Sequence, residues 1–175
     1  MKMVLSGFGG QGMLLAGQLL AYAGMLEGLN VTWLPSYGPE MRGGSANCSV
    51  IISKEMVGSP TIPTPDVVVA MNQPSFDSFI NKVKPGGLFI YNKTLVTTVT
   101  TRDDITMIAL DATQIAADLD NLRVANMVSL GTLIKHTGIV KPESVLKALA
   151  IKFGEDKKHL LEINEKAIAK GAEVA

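Results

Sequence analysis

The chain has 175 residues, of which 47% are hydrophobic, with 16 basic and 16 acidic residues and a formal net charge of zero. This composition is typical of a folded globular domain and excludes an intrinsically disordered chain. Because basic residues are not clustered, neither nucleic acid nor an anionic membrane is expected as a principal partner. We predict a single domain over residues 1–175, helical from about 124 to 175.

Three features bear on the cellular setting. The N-terminus carries one Lys and leads directly into a predicted strand, so no signal peptide is expected. The uncharged run from Met3 to Leu26 contains a glycine turn, which is incompatible with a membrane helix. Cys48 is the one cysteine, which excludes an internal disulfide, a cysteine-ligated cluster or a zinc site within this chain. We therefore expect a cytoplasmic protein.

Strand-like and helix-like segments alternate along the chain, the order typical of an α/β fold. The predicted strands are 2–6, 31–34 (stopped by Pro35), 46–53, 66–71, 88–91 and 106–110. The predicted helices are 11–27, 74–83, 111–119 (opened by a capping box of Asp111 and Gln114), 124–136, 142–151 and 156–170. Residues 93–104 leave open an additional strand or hairpin. We expect a Rossmann-like, mostly parallel sheet with helices on both faces and C-terminal helices.

The first strand and first helix are joined by a glycine-rich turn. The turn consists of Gly7, Phe8, Gly9, Gly10, Gln11 and Gly12. This spacing is typical of turns that let the backbone approach an anion closely, with the amides of the helix N-terminus directed at it. The turn is therefore a candidate site for a phosphate-bearing ligand.

An ordinary NAD(P) dehydrogenase is disfavoured. Such enzymes place a carboxylate near the end of the second strand to bind the ribose hydroxyls. Here that strand ends in Leu34, Pro35 and Ser36, and no arginine is placed there for a 2′-phosphate. Glu27 has the approximate sequence offset but belongs to the preceding helix.

Polar side chains follow several predicted strands, and in a parallel sheet such positions meet at the carboxyl edge, where ligands bind. The positions are Ser6–Gly7, Pro35–Tyr37, Asn72–Gln73, Asn92–Lys93 and Asp111. Neutral hydrogen-bonding groups dominate this set, which suits a polar, phosphate-bearing or amide-bearing ligand. Asn72 is included among the candidate binding residues for this reason.

The loop after the second strand is a further candidate binding segment. It consists of Ser36, Tyr37, Gly38, Pro39, Glu40, Met41, Arg42, Gly43 and Gly44. A loop of this length is uncommon in a compact domain unless it has a function. Two interpretations of Arg42 remain open: its guanidinium binds a phosphate or carboxylate, or it pairs with Glu40 or with an acidic residue of a partner subunit.

Two predicted helices have no charged face. Between Met13 and Gly28 the one carboxylate is Glu27, and the segment 126–134 is uncharged. Helices that cover a sheet normally keep a charged solvent face. We favour burial of both helices by another subunit over the alternative that both pack within the monomer.

The remaining candidates are interpreted as structural. His136 and His159 are far apart, Asp103 and Asp104 are expected in a solvated turn, and Cys48 is expected as a small buried residue. No nucleophile–base pair, metal-ligand spacing or paired carboxylates emerge. We predict no catalytic residues and no metal site in this chain.

Three segments together resemble the gamma subunit of 2-oxoacid:ferredoxin oxidoreductases. They are the glycine turn Gly7–Gly12, the stretch Val31–Gly44 with its SYGPEMRGG loop, and Asn47–Val50. Ala70–Asn72 and the helix beginning near Asn126 fit the same pattern. The loop looks most like the 2-oxoglutarate-type enzymes, or the branched-chain 2-oxoacid type.

The resemblance implies a multi-subunit enzyme that oxidatively decarboxylates a 2-oxoacid, forms an acyl-coenzyme A and reduces ferredoxin. It implies alpha, beta and delta-type partner subunits, with thiamine diphosphate, magnesium and iron–sulfur clusters chiefly on those subunits and none bound tightly by this chain. The gamma-type domain is associated with assembly and, in related enzymes, with closing over coenzyme A. A homodimer of this chain is left open.

We therefore expect the turn Gly7–Gly12 and the loop Ser36–Gly44 to form one surface that faces the thiamine-bearing subunits, with coenzyme A as its small-molecule ligand. Two alternatives remain. The chain is a free-standing nucleotide-binding module, or its glycine turn binds no ligand and packs against a neighbouring chain in a scaffold subunit.

Overall fold

The computed structural model describes residues 1–38 and 45–174, and it shows an α/β fold. The strands are β1 (Lys2–Phe8), β2 (Asn30–Tyr37), β3 (Ser45–Ser53), β4 (Val67–Ala70), β5 (Leu88–Asn92) and β6 (Thr106–Leu110). The helices are α1 (Met13–Leu26), α2 (Gln73–Phe79), α3 (Ala112–Asp118), α4 (Ala125–Thr137), α5 (Pro142–Phe153) and α6 (Leu161–Ala172). Two short 3₁₀ segments, Leu122–Val124 and Glu155–Leu160, precede α4 and α6.

The strands form one six-stranded sheet in the order β2-β3-β1-β4-β5-β6. The strands β1, β4, β5 and β6 pair in parallel, while β3 is antiparallel to both β1 and β2. Five strands therefore run in one direction and β3 runs against them, which confirms the expected mostly parallel sheet. No strand or hairpin occurs between Lys93 and Asp104.

The second strand is longer than predicted, because Pro35 does not end it. β2 is the edge strand of the sheet, and Pro35 lies opposite Cys48 in its ladder with β3. The amide of Gly38 donates to the carbonyl of Ser45 (2.8 Å), so the even-numbered residues of β2 bond to β3 and Pro35 faces away. A proline is tolerated there because its missing N–H lies on the free edge. Ser36 and Tyr37 consequently belong to β2 rather than to the loop.

The helices cover the two faces of the sheet unequally. The larger core joins one face of the sheet to α1, α3, α4, α5 and α6, and includes Leu5, Val50 and Ile90. On the other face α2 contributes Phe76 to a smaller core with Val68, Phe89 and Val96. The helices on both faces agree with the sequence analysis, with the difference that α2 is short and ends at Phe79 rather than near Val83.

The uncharged segment 126–134 of α4 is buried within the chain, so it does not support the expectation of burial by another subunit. Every residue from Asn126 to Ile134 is buried. A Cβ at Gly131 would overlap the backbone of Ile168 in α6, and a Cβ at Gly171 would overlap the backbone of Val128 in α4. Two glycines thus let α4 and α6 cross with their backbones in contact. The outer face of α1 does expose Tyr22 and Met25.

We predict that Gly131→Ala destabilises the protein by about 2–3 kcal/mol, because the added methyl group forces α4 and α6 apart. Helix propensity alone would give the opposite sign, a gain of about 1 kcal/mol. The matched control is Gly58→Ala, where a Cβ meets no heavy atom within 4 Å. Urea unfolding of both variants measures the effect, and equal midpoints would contradict the close crossing.

Candidate functional site

The glycine turn connects the end of β1 to the start of α1 at the carboxyl edge of the sheet. Gly10 and Gly12 have φ angles of 109° and 72°, a conformation that residues with a side chain rarely adopt. Gly12 is the N-cap of α1, no side chain caps this end, and its first turn holds no acidic residue. The unpaired amides and the helix dipole therefore favour a negative charge at this point.

The Gln11 side chain fills the inside of the turn. Its Oε1 accepts hydrogen bonds from the backbone amide of Phe8 (2.9 Å) and from Nδ2 of Asn72 (3.2 Å). Its Nε2 donates to the carbonyl of Met71 (3.2 Å). A Cβ at Gly7 would lie 2.5 Å from Gln11 Oε1. A side chain at Gly7 would therefore displace the Gln11 carboxamide, which joins the turn to the end of β4.

A second carboxamide holds the other end of the turn. Nδ2 of Asn126, at the start of α4, donates to the carbonyl of Gly12 (2.9 Å), and a Cβ at Gly12 would overlap this side chain. By contrast, a Cβ at Gly10 would meet no heavy atom within 4 Å. Side chains of the chain itself thus occupy the space beside Gly7 and Gly12, and a ligand could approach the turn at Gly10.

Asn72 has a structural role at this edge. Its Oδ1 accepts from the backbone amide of Ser75 (2.9 Å) and so caps α2, while its Nδ2 donates to Gln11. The residue is buried. These bonds join α2 to the glycine turn, and any contact of Asn72 with a ligand stays a prediction.

The structure brings the glycine turn next to the base of the predicted loop. A hollow of about 260 Å³ is lined by Phe8, Gly9, Gly10, Gly12, Met13, Leu14, Tyr37, Ser45 and Ala46. Phe8 is 39% exposed and Tyr37 is 61% exposed, so two aromatic side chains border the open end of α1. Ser36 is exposed. Pro39, Glu40, Met41, Arg42, Gly43 and Gly44 lie outside the described residues.

A second, larger hollow lies on the other side of Phe8, and the sequence analysis missed it. Its volume is about 440 Å³, and its lining includes Phe8, Gln11, Leu95, Leu122 and Arg123. Leu95, Leu122 and Arg123 come from the segments after β5 and before α4, outside any glycine-rich motif, so no sequence signal marked them. The carboxyl edge around the glycine turn therefore holds two hollows bordered by the exposed apolar side chains of Phe8, Tyr37, Leu95 and Leu122.

The polar residues after β5 and β6 bind one another. Lys93 Nζ pairs with Asp111 (2.9 Å), and the hydroxyl of Thr94 donates to the same carboxylate (2.9 Å). The hydrogen bond from Lys93 is the main cause of the lowered pKa of Asp111. Asp111 therefore makes no capping bond to α3, and the predicted capping box is wrong. The side-chain amide of Asn92 donates to the hydroxyl of Thr113 (2.8 Å), a bond that joins the end of β5 to α3.

The other candidates are structural as well. Glu27 accepts from the backbone amide of Lys141 (2.6 Å), at the opposite end of α1 from the glycine turn. His136 contacts the carbonyl of Val174 (3.1 Å), and Asp104 pairs with Arg102. Cys48 is fully buried, and burial raises the pKa of its thiol to about 12, so it is not a nucleophile at neutral pH.

The described part of the chain contains no group of three or more His, Cys, Asp or Glu side chains that could hold a metal ion. Within the same residues, no helix is long and apolar enough to cross a membrane.

The sequence model of the pyruvate ferredoxin/flavodoxin oxidoreductase family matches residues 2–174. The chain belongs to this family. The resemblance to gamma subunits found in the sequence is thereby confirmed.

Two relatives illustrate its relation to family members. The ketoisovalerate oxidoreductase subunit VorA of Methanothermobacter marburgensis is 41% identical over 177 residues, which are 99% of this chain and 36% of the relative. The chain thus spans about a third of that relative's length. The 2-oxoglutarate synthase subunit KorC of Methanocaldococcus jannaschii is 39% identical over 176 residues, which are 98% of this chain and 91% of the relative.

Two solved structures share the fold. The gamma subunit of a keto/oxoacid ferredoxin oxidoreductase from Geobacter sulfurreducens has a TM-score of 0.84 and 32% identity, covering 99% of this chain and 97% of that one. A 2-oxoglutarate:ferredoxin oxidoreductase from Magnetococcus marinus, with 2-oxoglutarate, coenzyme A and succinyl-CoA bound, has a TM-score of 0.91 and 27% identity. This chain is covered completely and corresponds to 31% of that chain.

We predict that Gln11→Ala lowers the free energy of unfolding by about 1–2 kcal/mol, because the exposed amide of Phe8 and the partly buried carboxamide of Asn72 lose their acceptor. Gln114→Ala is the matched control, since Gln114 is exposed and its side chain bonds to Asp118 alone, and it should change stability by less than about 0.5 kcal/mol. Urea unfolding of the two variants provides the comparison. If both lose the same stability, Gln11 does not brace the turn.

Proposed function

We propose that this chain is the gamma subunit of a multi-subunit 2-oxoacid:ferredoxin oxidoreductase. In this proposal the complex oxidatively decarboxylates a 2-oxoacid to an acyl-coenzyme A and reduces ferredoxin, and this subunit contributes to assembly and to the handling of coenzyme A. The main support is the match to the Geobacter gamma subunit, which extends over nearly the whole of both chains.

The proposed substrate is 2-oxoglutarate. KorC, a 2-oxoglutarate synthase subunit, matches this chain over 91% of its own length. The Magnetococcus structure with 2-oxoglutarate bound has the higher TM-score of the two described above. A branched-chain 2-oxoacid is the second candidate, because VorA has a slightly higher identity of 41%.

The proposed partners are alpha, beta and delta-type subunits, with ferredoxin reduced through the complex. The carboxyl edge is the proposed contact surface, since Phe8, Tyr37, Leu95 and Leu122 expose apolar side chains there. The exposed face of α1, with Tyr22 and Met25, is a separate surface that a second copy of the chain could cover. We propose a cytoplasmic complex.

Thiamine diphosphate with magnesium, and the iron–sulfur clusters, are proposed to reside on the other subunits. The side chains that the structure describes offer no cluster of carboxylate, imidazole or thiol groups for a metal. The one cysteine is buried in β3 against α1, where its Sγ donates to the carbonyl of Met13 (3.6 Å). This donor set does not fit an iron–sulfur cluster or a magnesium site.

Coenzyme A is the proposed small-molecule ligand of the surface formed by Gly7–Gly12 and Ser36–Gly44. The uncapped N-terminus of α1 favours a phosphate, and the hollow between Gly10 and Tyr37 gives it access. Residues of β1, α1, β2 and β3 line this hollow.

We expect a tagged chain purified from its source to recover a thiamine-binding subunit and a cluster-bearing subunit. The same sample should reduce viologen in a reaction that requires coenzyme A and proceeds faster with 2-oxoglutarate than with 2-oxoisovalerate or pyruvate. Faster reduction with 2-oxoisovalerate would select the branched-chain candidate. Recovery of a monodisperse monomer that binds nucleotides would instead identify a free-standing nucleotide-binding module.

In the assembled enzyme, Arg42→Ala is expected to raise the KM for coenzyme A about tenfold, because a charge-assisted hydrogen bond to a phosphate is lost. The KM for the 2-oxoacid should not change. Arg42→Lys tests whether charge alone suffices, and Lys54→Ala removes an exposed cation elsewhere as a control. Unchanged coenzyme A kinetics together with unchanged assembly would remove Arg42 from the proposed site.

A further inference from the structure

A third hollow at the carboxyl edge lies on the opposite face of the sheet from α1. Its volume is about 290 Å³, and it is bounded by the end of β1, the start of β3 and the length of α2. It shares Phe8 with the two hollows beside the glycine turn but does not include the N-terminus of α1. Gly7, Phe8 and Asn72 were candidate binding residues in the sequence, but no motif pointed to Ser75, Ser78 or Lys82.

The wall of this hollow is polar and already ordered. Ser6, Asn72 and Ser75 contribute to it, and their exposed fractions are 3%, 5% and 4%. The hydroxyl of Ser6 donates to the hydroxyl of Ser75 (2.9 Å). Because each hydroxyl carries one hydrogen, this pair retains one O–H for a further acceptor. The hydroxyl of Ser78, on the next turn of α2, lines the same space.

The charge of the hollow is positive. Lys82 is the one charged residue among the described residues that line it, and the lining contains no carboxylate. Its Nζ lies 4.9 Å from the centre of the Phe79 ring, a cation–π contact that holds the ammonium group at the rim. Among the side chains that the structure describes, Lys82 forms no ion pair.

We infer that this hollow binds a phosphate monoester, with Lys82 pairing with its charge and the serine hydroxyls donating to its oxygens. Serine hydroxyls and a lysine ammonium group are common phosphate ligands, and a single cation without a nearby carboxylate favours an anion. The phosphate has two possible sources: the 3′-phosphate of coenzyme A, which rests on the proposed function, or a separate phosphorylated metabolite.

The test is calorimetric titration of the full chain, alone and in the assembled complex, with coenzyme A, dephospho-coenzyme A and inorganic phosphate. If the coenzyme supplies the phosphate, the wild type should bind coenzyme A about tenfold more tightly than the dephospho form. Lys82→Ala should abolish this preference and Lys82→Arg should retain it. Lys54→Ala is the control, since this lysine is exposed and remote from the hollow.

The outcomes separate the sources. Equal binding of both coenzyme forms, together with inorganic phosphate binding that Lys82→Ala abolishes, would assign the hollow to a separate phosphorylated ligand. If Lys82→Ala changes the binding of none of the three probes, the inference is overturned. If a complex reduces viologen but Lys82→Ala binds all three probes as the wild type does, this inference alone is overturned. If the chain is a monomer whose phosphate binding depends on Lys82, the proposed subunit function alone is overturned.

Discussion

The carboxyl edge of this protein depends on the partly buried carboxamide of Gln11. One side chain bonds to the amide of Phe8 at the end of β1, the carbonyl of Met71 after β4 and the side chain of Asn72 before α2. An amide can do this because it carries both an acceptor and two donors. Two segments that are distant in sequence, the glycine turn and the connection from β4 to α2, are thereby joined.

The second constraint is the crossing of α4 and α6, which helps to bury the residues from Asn126 to Ile134. At Gly131 and Gly171 the helices meet backbone to backbone. Asn126, at the start of α4, reaches Gly12 in the glycine turn. The position of the turn is therefore set both by the sheet, through Gln11, and by the helical layer, through Asn126.

Most of the fold could be predicted from the sequence, and the errors have physical causes. The strand 106–110 has the predicted bounds, and β4 differs by one residue at each end, because continuous apolar runs between turn residues identify buried strands. Pro35 was misinterpreted because its effect depends on whether β2 lies at an edge, which local sequence does not show. The sequence indicated an uncharged helical segment, but α6 crosses α4 where Gly131 of α4 and Gly171 of α6 let the backbones meet. No local sequence pattern reveals this long-range contact.

The candidate site was predicted less completely. The glycine turn and Tyr37 are adjacent in the structure, as their predicted positions after the first and second strands led us to expect. What the sequence could not show is that Gln11 and Asn126 already occupy the space beside Gly7 and Gly12. A glycine motif looks the same whether the missing side chain makes room for a ligand or for a neighbouring carboxamide. Lys82 could not be predicted from the sequence as a site residue, because it lines the third hollow only when α2 packs against the end of β1.

The outward-facing Pro35 also limits how this chain can associate with others. An extended segment that added to the sheet at β2 could receive hydrogen bonds from the outward amides of Val31 and Trp33, but none from Pro35. The continuous ladder that sheet-to-sheet aggregation requires is therefore interrupted in mid-strand. Pro35 alone therefore protects the uncharged edge strand β2 from pairing with a strand of another molecule.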